Sequence, residues 1–202
     1  LRRLKADCCN FHVGIRSVIA KYNIDDVLGL YEFVRELGPD SYITEVAEER
    51  TELFTVNSGI TPDPALYAKT IDALSGRIRN DYLRSKGFIY RVAQALRLTY
   101  YEIVAQELWR HEQVVPCYAG YASCQITPYG DVWPCCVLGY DKSMGNLRES
   151  DFDFKKIWFS RKAGEVREYI RGKNCACPLA NAHFTNIICN FKEIAKVLKA
   201  MK

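Results

Sequence analysis

Four cysteines have a spacing that suits a metal ion or an iron–sulfur cluster. Cys117 is followed after twelve residues by Gly130 and after four more by Cys135, and a gap of 41 residues leads to Cys177 and, after eleven more, to Cys189. Thiolates are soft ligands that select zinc, Cu(I) or iron–sulfur centres. The spacing therefore predicts one site built from two distant pairs of cysteines.

Length, charge and cysteine content describe the context of this site. The 202 residues are 49% hydrophobic, which is enough to bury a sizeable core. The net charge of +4 is too small to indicate nucleic acid or a membrane surface as a partner. No run of about 20 apolar residues and no signal peptide is found, so we expect a cytoplasmic protein. In a reducing compartment, nine cysteines are expected to serve as metal ligands and spare thiols.

The residues before the cysteines predict a strand–helix–strand unit. Residues 11–19 and 41–46 are rich in β-branched side chains and are predicted to be strands. Between them, Asn23 is a candidate helix cap and Gly38 a helix stop. The apolar stripe of this helix consists of Val27, Leu30, Tyr31, Val34 and Leu37. The two strands are expected to be parallel, and a parallel pair needs further strands and helices around it.

Two helices and a small irregular region follow. Asp63 and Pro64 predict the start of one helix, and an apolar pattern predicts a longer one from Phe88 to Trp109. Segments 124–127 and 132–135 are predicted to be short strands joined by a turn with proline at its second position and glycine at its fourth. Short helices are expected over residues 154–158 and 163–170. This order brings a hairpin cysteine towards the later cysteines.

Four segments of the cysteine region resemble the SPASM/Twitch extension of radical S-adenosylmethionine (radical SAM) enzymes. They are residues 117–120 (CYAG), 125–135 (QITPYGDVWPC), 145–148 (GNLR) and 157–160 (IWFS). Upstream, residues 14–19 with Asn23 are similar to the fifth strand of the radical SAM barrel and its loop, and residues 42–45 to the sixth strand.

The resemblance implies a fold and a domain division. The fold class is α/β: the C-terminal strands and helices of a partial (β/α)6 radical SAM barrel, followed by a small α+β SPASM/Twitch domain with a β-hairpin. The expected divisions are 1–55 for the barrel fragment, 56–113 for a helical connector and 114–202 for the iron–sulfur domain.

The family's pattern also implies a ligand set. A full SPASM domain has a C-x2-C-x5-C-x3-C segment and two auxiliary 4Fe–4S clusters. That segment is absent from this sequence, so the shorter Twitch form with one auxiliary 4Fe–4S cluster is the better match. Its ligands would be Cys117, Cys135, Cys177 and Cys189. A structural zinc site is the competing interpretation, but zinc ligands usually include close C-x2-C pairs, which these four cysteines do not form.

Other side chains compete for these roles. The alternate ligands, which are otherwise buried thiols, are Cys124, Cys136 and Cys175. His183 could replace a ligand, although a lone histidine is more often a hydrogen-bonded structural residue. Cys8 and Cys9 are expected to be small buried residues. Glu45 and Arg50, predicted to follow the second strand, are candidates for substrate contact or solvated loop residues.

One motif of the family is absent from the sequence. The C-x3-C-x2-C segment binds the 4Fe–4S cluster that SAM contacts, and it is not present here. With no Met at position 1, this predicts the C-terminal part of an oxidoreductase or of an enzyme that modifies a peptide or a small molecule. The part would be inactive with SAM by itself.

The partners follow from the same expectation. The N-terminal half of the barrel would be the first partner and would bring SAM and the second 4Fe–4S cluster. A small molecule or a peptide would be the substrate, and a flavodoxin- or ferredoxin-type protein the reductant. The alternative is a non-catalytic iron–sulfur or zinc module that docks a partner.

Overall fold

The computed structural model describes residues 11–83 and 87–201, so Cys8 and Cys9 lie outside the described residues. The chain is mixed α/β and divides into two compact units, Leu1–Arg97 and Leu98–Lys202. The elements of the first unit are β1 (Gly14–Ile19), a 3-10 turn (Ile24–Asp26), α1 (Val27–Leu37), β2 (Ser41–Val46), a 3-10 turn (Thr51–Leu53), α2 (Pro64–Ile78) and a π-helical turn (Arg79–Leu83). Helix α3 (Phe88–Arg110) includes the division between the units.

The second unit contains a small sheet and four helices among the described residues. The sheet strands are β3 (Gln125–Ile126), β4 (Asp131–Trp133) and β5 (Gly145–Asn146), followed by a 3-10 turn (Leu147–Ser150). The helices are α4 (Phe154–Trp158), α5 (Arg161–Arg171), α6 (Ala180–Ile188) and α7 (Phe191–Ala200). None of the helices within residues 11–83 and 87–201 has both the length and the apolar character that a membrane crossing requires.

The first unit contains the predicted strand–helix–strand segment. Strands β1 and β2 are parallel, in a register that pairs Gly14 with Ser41 and Ile19 with Val46. Helix α1 connects them and ends at Gly38, whose φ of 66° is in the left-handed region that glycine adopts without strain. The core of this unit is formed by buried residues that include Ile19, Tyr31, Tyr42, Tyr67 and Leu74.

Two details of the predicted first helix are wrong. Asn23 does not cap it with its side chain. Its side-chain oxygen accepts from the Ala20 N–H (2.8 Å) and its amide donates to the Val18 carbonyl (2.9 Å), so Asn23 closes the turn after β1. Leu30 and Leu37 are also more than one third exposed, because only a narrower stripe of α1 packs into the core.

The predicted cap of the next helix is confirmed. The Asp63 carboxylate accepts from the Leu66 N–H at 2.9 Å, and Pro64 occupies the first turn of α2. Arg77 of α2 donates to the Glu32 carboxylate of α1 at 2.6 Å. This ion pair joins the exposed sides of two helices whose apolar sides are buried.

The three short strands of the second unit form one antiparallel sheet in the order β3-β4-β5. Val132, in the central strand, is fully buried. It belongs to a hydrophobic cluster whose other buried members are Ala119, Leu138, Met144, Ile157, Ala163, Val166 and Ile170. Partly buried residues that pack against this cluster include Cys117, Cys124, Cys135 and Cys175. The small sheet and helices α4 and α5 therefore surround a core that has thiols at its border.

Candidate metal centre

The turn before β4 determines where Cys135 lies. Gly130 has a φ of 93°, which favours glycine, and its N–H donates to the Thr127 carbonyl at 3.0 Å. The Thr127 hydroxyl accepts from the Asp131 N–H at 3.1 Å. These bonds connect β3 to β4, and Cys135 follows the end of β4 by two residues.

The Cys135 thiol lies against backbone N–H groups. Its Sγ atom accepts from the Leu138 N–H at 3.4 Å. Burial raises the pKa of this thiol, the N–H groups of Leu138 and Val137 lower it, and the charges of Cys136 and Cys117 raise it. N–H donors favour a sulfur that carries negative charge. The loop after β4 is therefore built to accept a thiolate ligand.

Cys117 is held from two sides. Burial raises the pKa of the Cys117 thiol, while hydrogen bonds from the Ala119 N–H and the Asn186 side chain lower it. Asn186 lies on α6 and also accepts from the Tyr118 N–H at 2.8 Å. Glu107 of α3 is near enough to raise the same pKa slightly through its charge.

Cys175 has the largest shift among the thiols. Burial and then the charges of Cys117, Cys135 and Glu107 raise the pKa of Cys175 to about 12. Coulombic repulsion of this kind acts over short distances in a protein, so the three thiols lie near one another. The structure therefore brings together Cys117, Cys135 and Cys175, of which the sequence predicts the first two as ligands and the third as an alternate.

The remaining candidate thiols lie in different surroundings. Cys124 is half-buried, and burial raises the pKa of its thiol. Cys136, also half-buried, is the neighbour of Cys135. Cys177 is half-buried, and its carbonyl is hydrogen-bonded by His183. Cys189 is exposed and follows the end of α6, where its N–H donates to the Thr185 carbonyl at 3.0 Å.

A buried ionisable pair lies beside these thiols. His183 Nε2 is 2.9 Å from the Glu107 carboxylate and 2.9 Å from the Cys177 carbonyl. Both side chains are almost fully buried, and the Tyr100 ring packs on the imidazole with centroids 5.8 Å apart. His183 Nδ1 has no hydrogen-bond partner among the described residues. The sequence analysis considers His183 but does not predict its pairing with Glu107.

The sequence analysis also misses Asn186. Glu107 and Asn186 occupy buried positions on helices whose neighbours at helical spacing are Ile103, Val104, His183 and Ile187. A polar residue on an otherwise apolar helix face is the signal that could have identified both, since buried polar groups require partners.

Glu45 and Arg50 are placed separately from the thiols along the chain, in the first unit. Glu45 lies within β2, paired with Val18, and does not follow the strand as predicted. Arg50 does follow β2, and its N–H donates to the Thr55 hydroxyl at 2.9 Å. Glu45 is excluded from the loop because the pairing of β1 and β2 extends through Val46.

The three grouped thiols fit an iron–sulfur cluster in their chemistry. Among residues 11–83 and 87–201, no set of three or more His, Cys, Asp and Glu side chains is placed to hold one metal ion. Cys117, Cys135 and Cys175 are soft donors whose thiolates repel one another, and bound iron would offset that repulsion. The N–H groups that face Cys117 and Cys135 are the kind of neighbours that tune iron–sulfur centres.

Comparisons with known proteins agree with this chemistry. Residues 117–178 match a family described as SPASM, an iron–sulfur cluster-binding domain. No curated protein matches the chain.

Two solved structures are similar to the chain. One is described as native anSMEcpe with bound AdoMet and Kp18Cys peptide: 16% identity, TM-score 0.48, covering 78% of this chain and 41% of that one. The other is hexahistidine-tagged anSMEcpe with bound AdoMet: 13% identity, TM-score 0.46, covering 93% of this chain and 54% of that one. The present chain thus spans about half the length of these proteins or less.

The match covers the hairpin, helices α4 and α5, and the cysteines from Cys117 to Cys177. It thereby includes all three thiols that the structure groups and confirms the family that the sequence motifs indicate. Residues 117–178 of this chain belong to the SPASM family of iron–sulfur cluster-binding domains.

Proposed function

We propose that this chain is the C-terminal part of a radical SAM enzyme and that its second unit binds an auxiliary 4Fe–4S cluster. The observation that carries the proposal is the grouping of Cys117, Cys135 and Cys175 within a segment of the SPASM family. When bound, the cluster would supply an acceptor or a conduit for electrons.

The ligand set is part of the proposal. Cys117 and Cys135 are supported by both the family's pattern and the grouping of thiols. For the third position, Cys175 competes with the originally expected Cys177, because its pKa responds to the charges of the other two thiols. The fourth ligand is proposed to be Cys189, as the family's pattern implies, with Cys124 and Cys136 as alternates.

The chain's own residues prepare this position for negatively charged sulfur. Backbone N–H groups donate to Cys117 and Cys135, and the Asn186 amide donates to Cys117. The hydrophobic cluster beneath them excludes water from one side of the thiols. Such surroundings hold the ligands in place and influence the potential of a bound centre.

The first unit would complete a larger enzyme. Strands β1 and β2 are proposed to be the last strands of a partial (β/α)6 barrel, with residues 1–55, 56–113 and 114–202 as barrel fragment, connector and iron–sulfur domain. SAM and a second 4Fe–4S cluster would be bound by the N-terminal half of that barrel. The substrate would be a small molecule or a peptide, with Arg50 as a candidate contact and Glu45 as a weaker one. The electron donor would be a flavodoxin- or ferredoxin-type protein.

Anaerobic reconstitution with iron and sulfide tests the cluster proposal. We expect about four irons and about four sulfides per chain, and a visible absorption that bleaches on reduction. Cys117→Ser and Cys135→Ser are each expected to abolish binding, and comparison of Cys175→Ser with Cys177→Ser identifies the third ligand. Cys8→Ser and Cys9→Ser are the matched controls and should bind iron normally. Stoichiometric zinc without iron uptake would contradict the proposal and favour a structural zinc module.

The activity with SAM tests the fragment proposal separately. The reconstituted, reduced chain is expected to form no 5′-deoxyadenosine above a cluster-free control, because four thiolates leave no iron open for SAM. Addition of the proposed upstream half should restore formation. Cluster-dependent 5′-deoxyadenosine from this chain by itself would contradict both the ligand set and the assignment as part of a larger enzyme.

A further inference from the structure

Helix α6 carries a buried amide that contacts the cysteine site from outside the SPASM match. The match ends at residue 178, whereas α6 extends over Ala180–Ile188. Asn186 lies on the buried side of this helix and is 3% exposed. Its side-chain oxygen accepts from the N–H of Tyr118, at 2.8 Å, 68 residues earlier in the chain. The amide therefore fastens α6 to the residue that follows Cys117.

The same contact determines the direction of the Asn186 amide. Because the oxygen is occupied by the Tyr118 N–H, the NH2 group is the part of the side chain that is left to donate. The Asn186 side chain is hydrogen-bonded to the Cys117 thiol, which lowers the pKa of that thiol against the larger raising effect of burial. An amide does not titrate, so this donor is present at every pH at which the chain is folded.

We propose that Asn186 is a positioning residue of the auxiliary cluster, which holds Cys117 in place and donates an N–H···S hydrogen bond to its sulfur. The inference rests on the proposed function, because it assigns a role toward the cluster proposed above. A donor to a ligating sulfur stabilises the reduced cluster more than the oxidised one, since the reduced cluster carries more negative charge. Asn186 is therefore expected to raise the reduction potential.

Asn186→Asp separates the two contacts of the side chain. Aspartate has the same shape and keeps an oxygen for the Tyr118 N–H, but it replaces the donating NH2 group with an acceptor. The matched control is Asn181→Asp, the same chemical change on the same helix. Asn181 is exposed, and its oxygen accepts only from the adjacent Ala182 N–H among the bonds described, at 2.8 Å.

The experiment measures iron content and reduction potential on anaerobically reconstituted full chain. Asn186→Asp is expected to keep its iron and to lower the reduced-to-oxidised ratio at a fixed potential by about tenfold, which for one electron corresponds to about 59 mV. Asn181→Asp should leave the potential of the parent chain unchanged. Because a purely structural role of Asn186 would alter melting and not potential, the potential is the decisive readout.

A second variant keeps the test valid if the buried aspartate prevents folding. Asn186→Leu has a similar size and no donor, and it should lower the potential in the same direction by a smaller amount, because it adds no charge. An unchanged potential in the variants that fold would overturn the role of Asn186 while leaving the cluster in place. Failure of the unsubstituted chain to bind iron would instead overturn the proposed function, and this inference with it.

Discussion

The two units of the chain differ in how they treat their charged and polar groups. In the first unit, Arg35 pairs with Asp81 at 3.1 Å, and Tyr31 donates to the same carboxylate at 3.0 Å. In the second unit, Glu107 and His183 are buried together beside thiols that raise one another's pKa. The first arrangement satisfies its charges, whereas the second retains repulsion among its thiols.

This difference separates a part of the chain built for packing from one built for binding. The first unit has a core of fully buried tyrosine and leucine side chains, with ion pairs at its exposed side. The second unit has a smaller sheet and places half-buried thiols at the border of its core. A group that binds those thiols would add stability to the second unit, since metal binding is coupled to folding.

Removal of the cluster should produce the largest difference between the units. In the reconstituted chain, amides of β4 and β5 are expected to lose at least about tenfold of their hydrogen-exchange protection when the cluster is removed. Amides of β1 and β2 should change by less than about twofold, because no thiol ligand is proposed in that unit. Hydrogen exchange followed by mass spectrometry measures both. Equal protection of β4 in the two states would mean that the cluster does not stabilise the second unit.

Local sequence signals were sufficient for several elements. The predicted strand 41–46 and the predicted helix 154–158 agree with β2 and α4 to the residue. In both cases a turn or cap lies next to the element: Gly38 precedes β2, and Asp153 accepts from the Lys155 N–H at 2.9 Å at the start of α4. Such signals act over a few residues and are therefore visible in the sequence.

The site was less predictable because its contacts join distant segments. Asn186 reaches Tyr118 across 68 residues, and Glu107 reaches His183 across 76. Spacing also does not distinguish Cys175 from Cys177, since both belong to the same irregular segment before α6. Repulsion among folded thiols is what favours Cys175, and that is a property of the three-dimensional arrangement.

Core truncations compare the packing of the two units directly. Leu74→Ala in the first unit and Ile170→Ala in the second both remove fully buried side chains, and each is expected to lower the free energy of unfolding of the apoprotein by about 2–5 kcal/mol. Cluster reconstitution should offset part of the loss in Ile170→Ala and none in Leu74→Ala. Denaturant unfolding with and without the cluster measures this. An equal recovery in both variants would remove the distinction between the units.

Glycine substitutions make a smaller and more local comparison. A Cβ atom on Gly139 would lie 2.2 Å from the Trp133 ring, so Gly139→Ala is expected to destabilise the second unit by about 1–3 kcal/mol. The matched control is Gly29→Ala in α1, where a Cβ meets nothing within 4 Å. That change should stabilise the first unit by about 0.5–1 kcal/mol, because alanine favours a helix. Thermal unfolding gives both values, and a neutral Gly139→Ala would contradict the close packing on Trp133.

Alkaline pH should give the smallest difference, because the thiols are only half-buried and solvent screens part of their repulsion. Below the ordinary thiol pKa of 9.0, Cys175 keeps its proton in both the folded and the unfolded apoprotein. Above it, the unfolded chain loses the proton first, so stability falls as the pH rises towards about 12, where the folded thiol also ionises.

Tyr42 offers the corresponding test in the first unit. Burial raises the pKa of this phenol from 10.0, so its contribution to stability is lost only at pH values above 10. Cys175→Ser should therefore reduce the loss of apoprotein stability that begins near pH 9, whereas Tyr42→Phe should reduce only the loss above pH 10. Denaturant unfolding at half-unit steps of pH, about 8 to 11, resolves the two onsets. An unchanged onset in Cys175→Ser would show that the thiols do not repel one another in the folded chain, which would remove the basis for grouping Cys175 with Cys117 and Cys135.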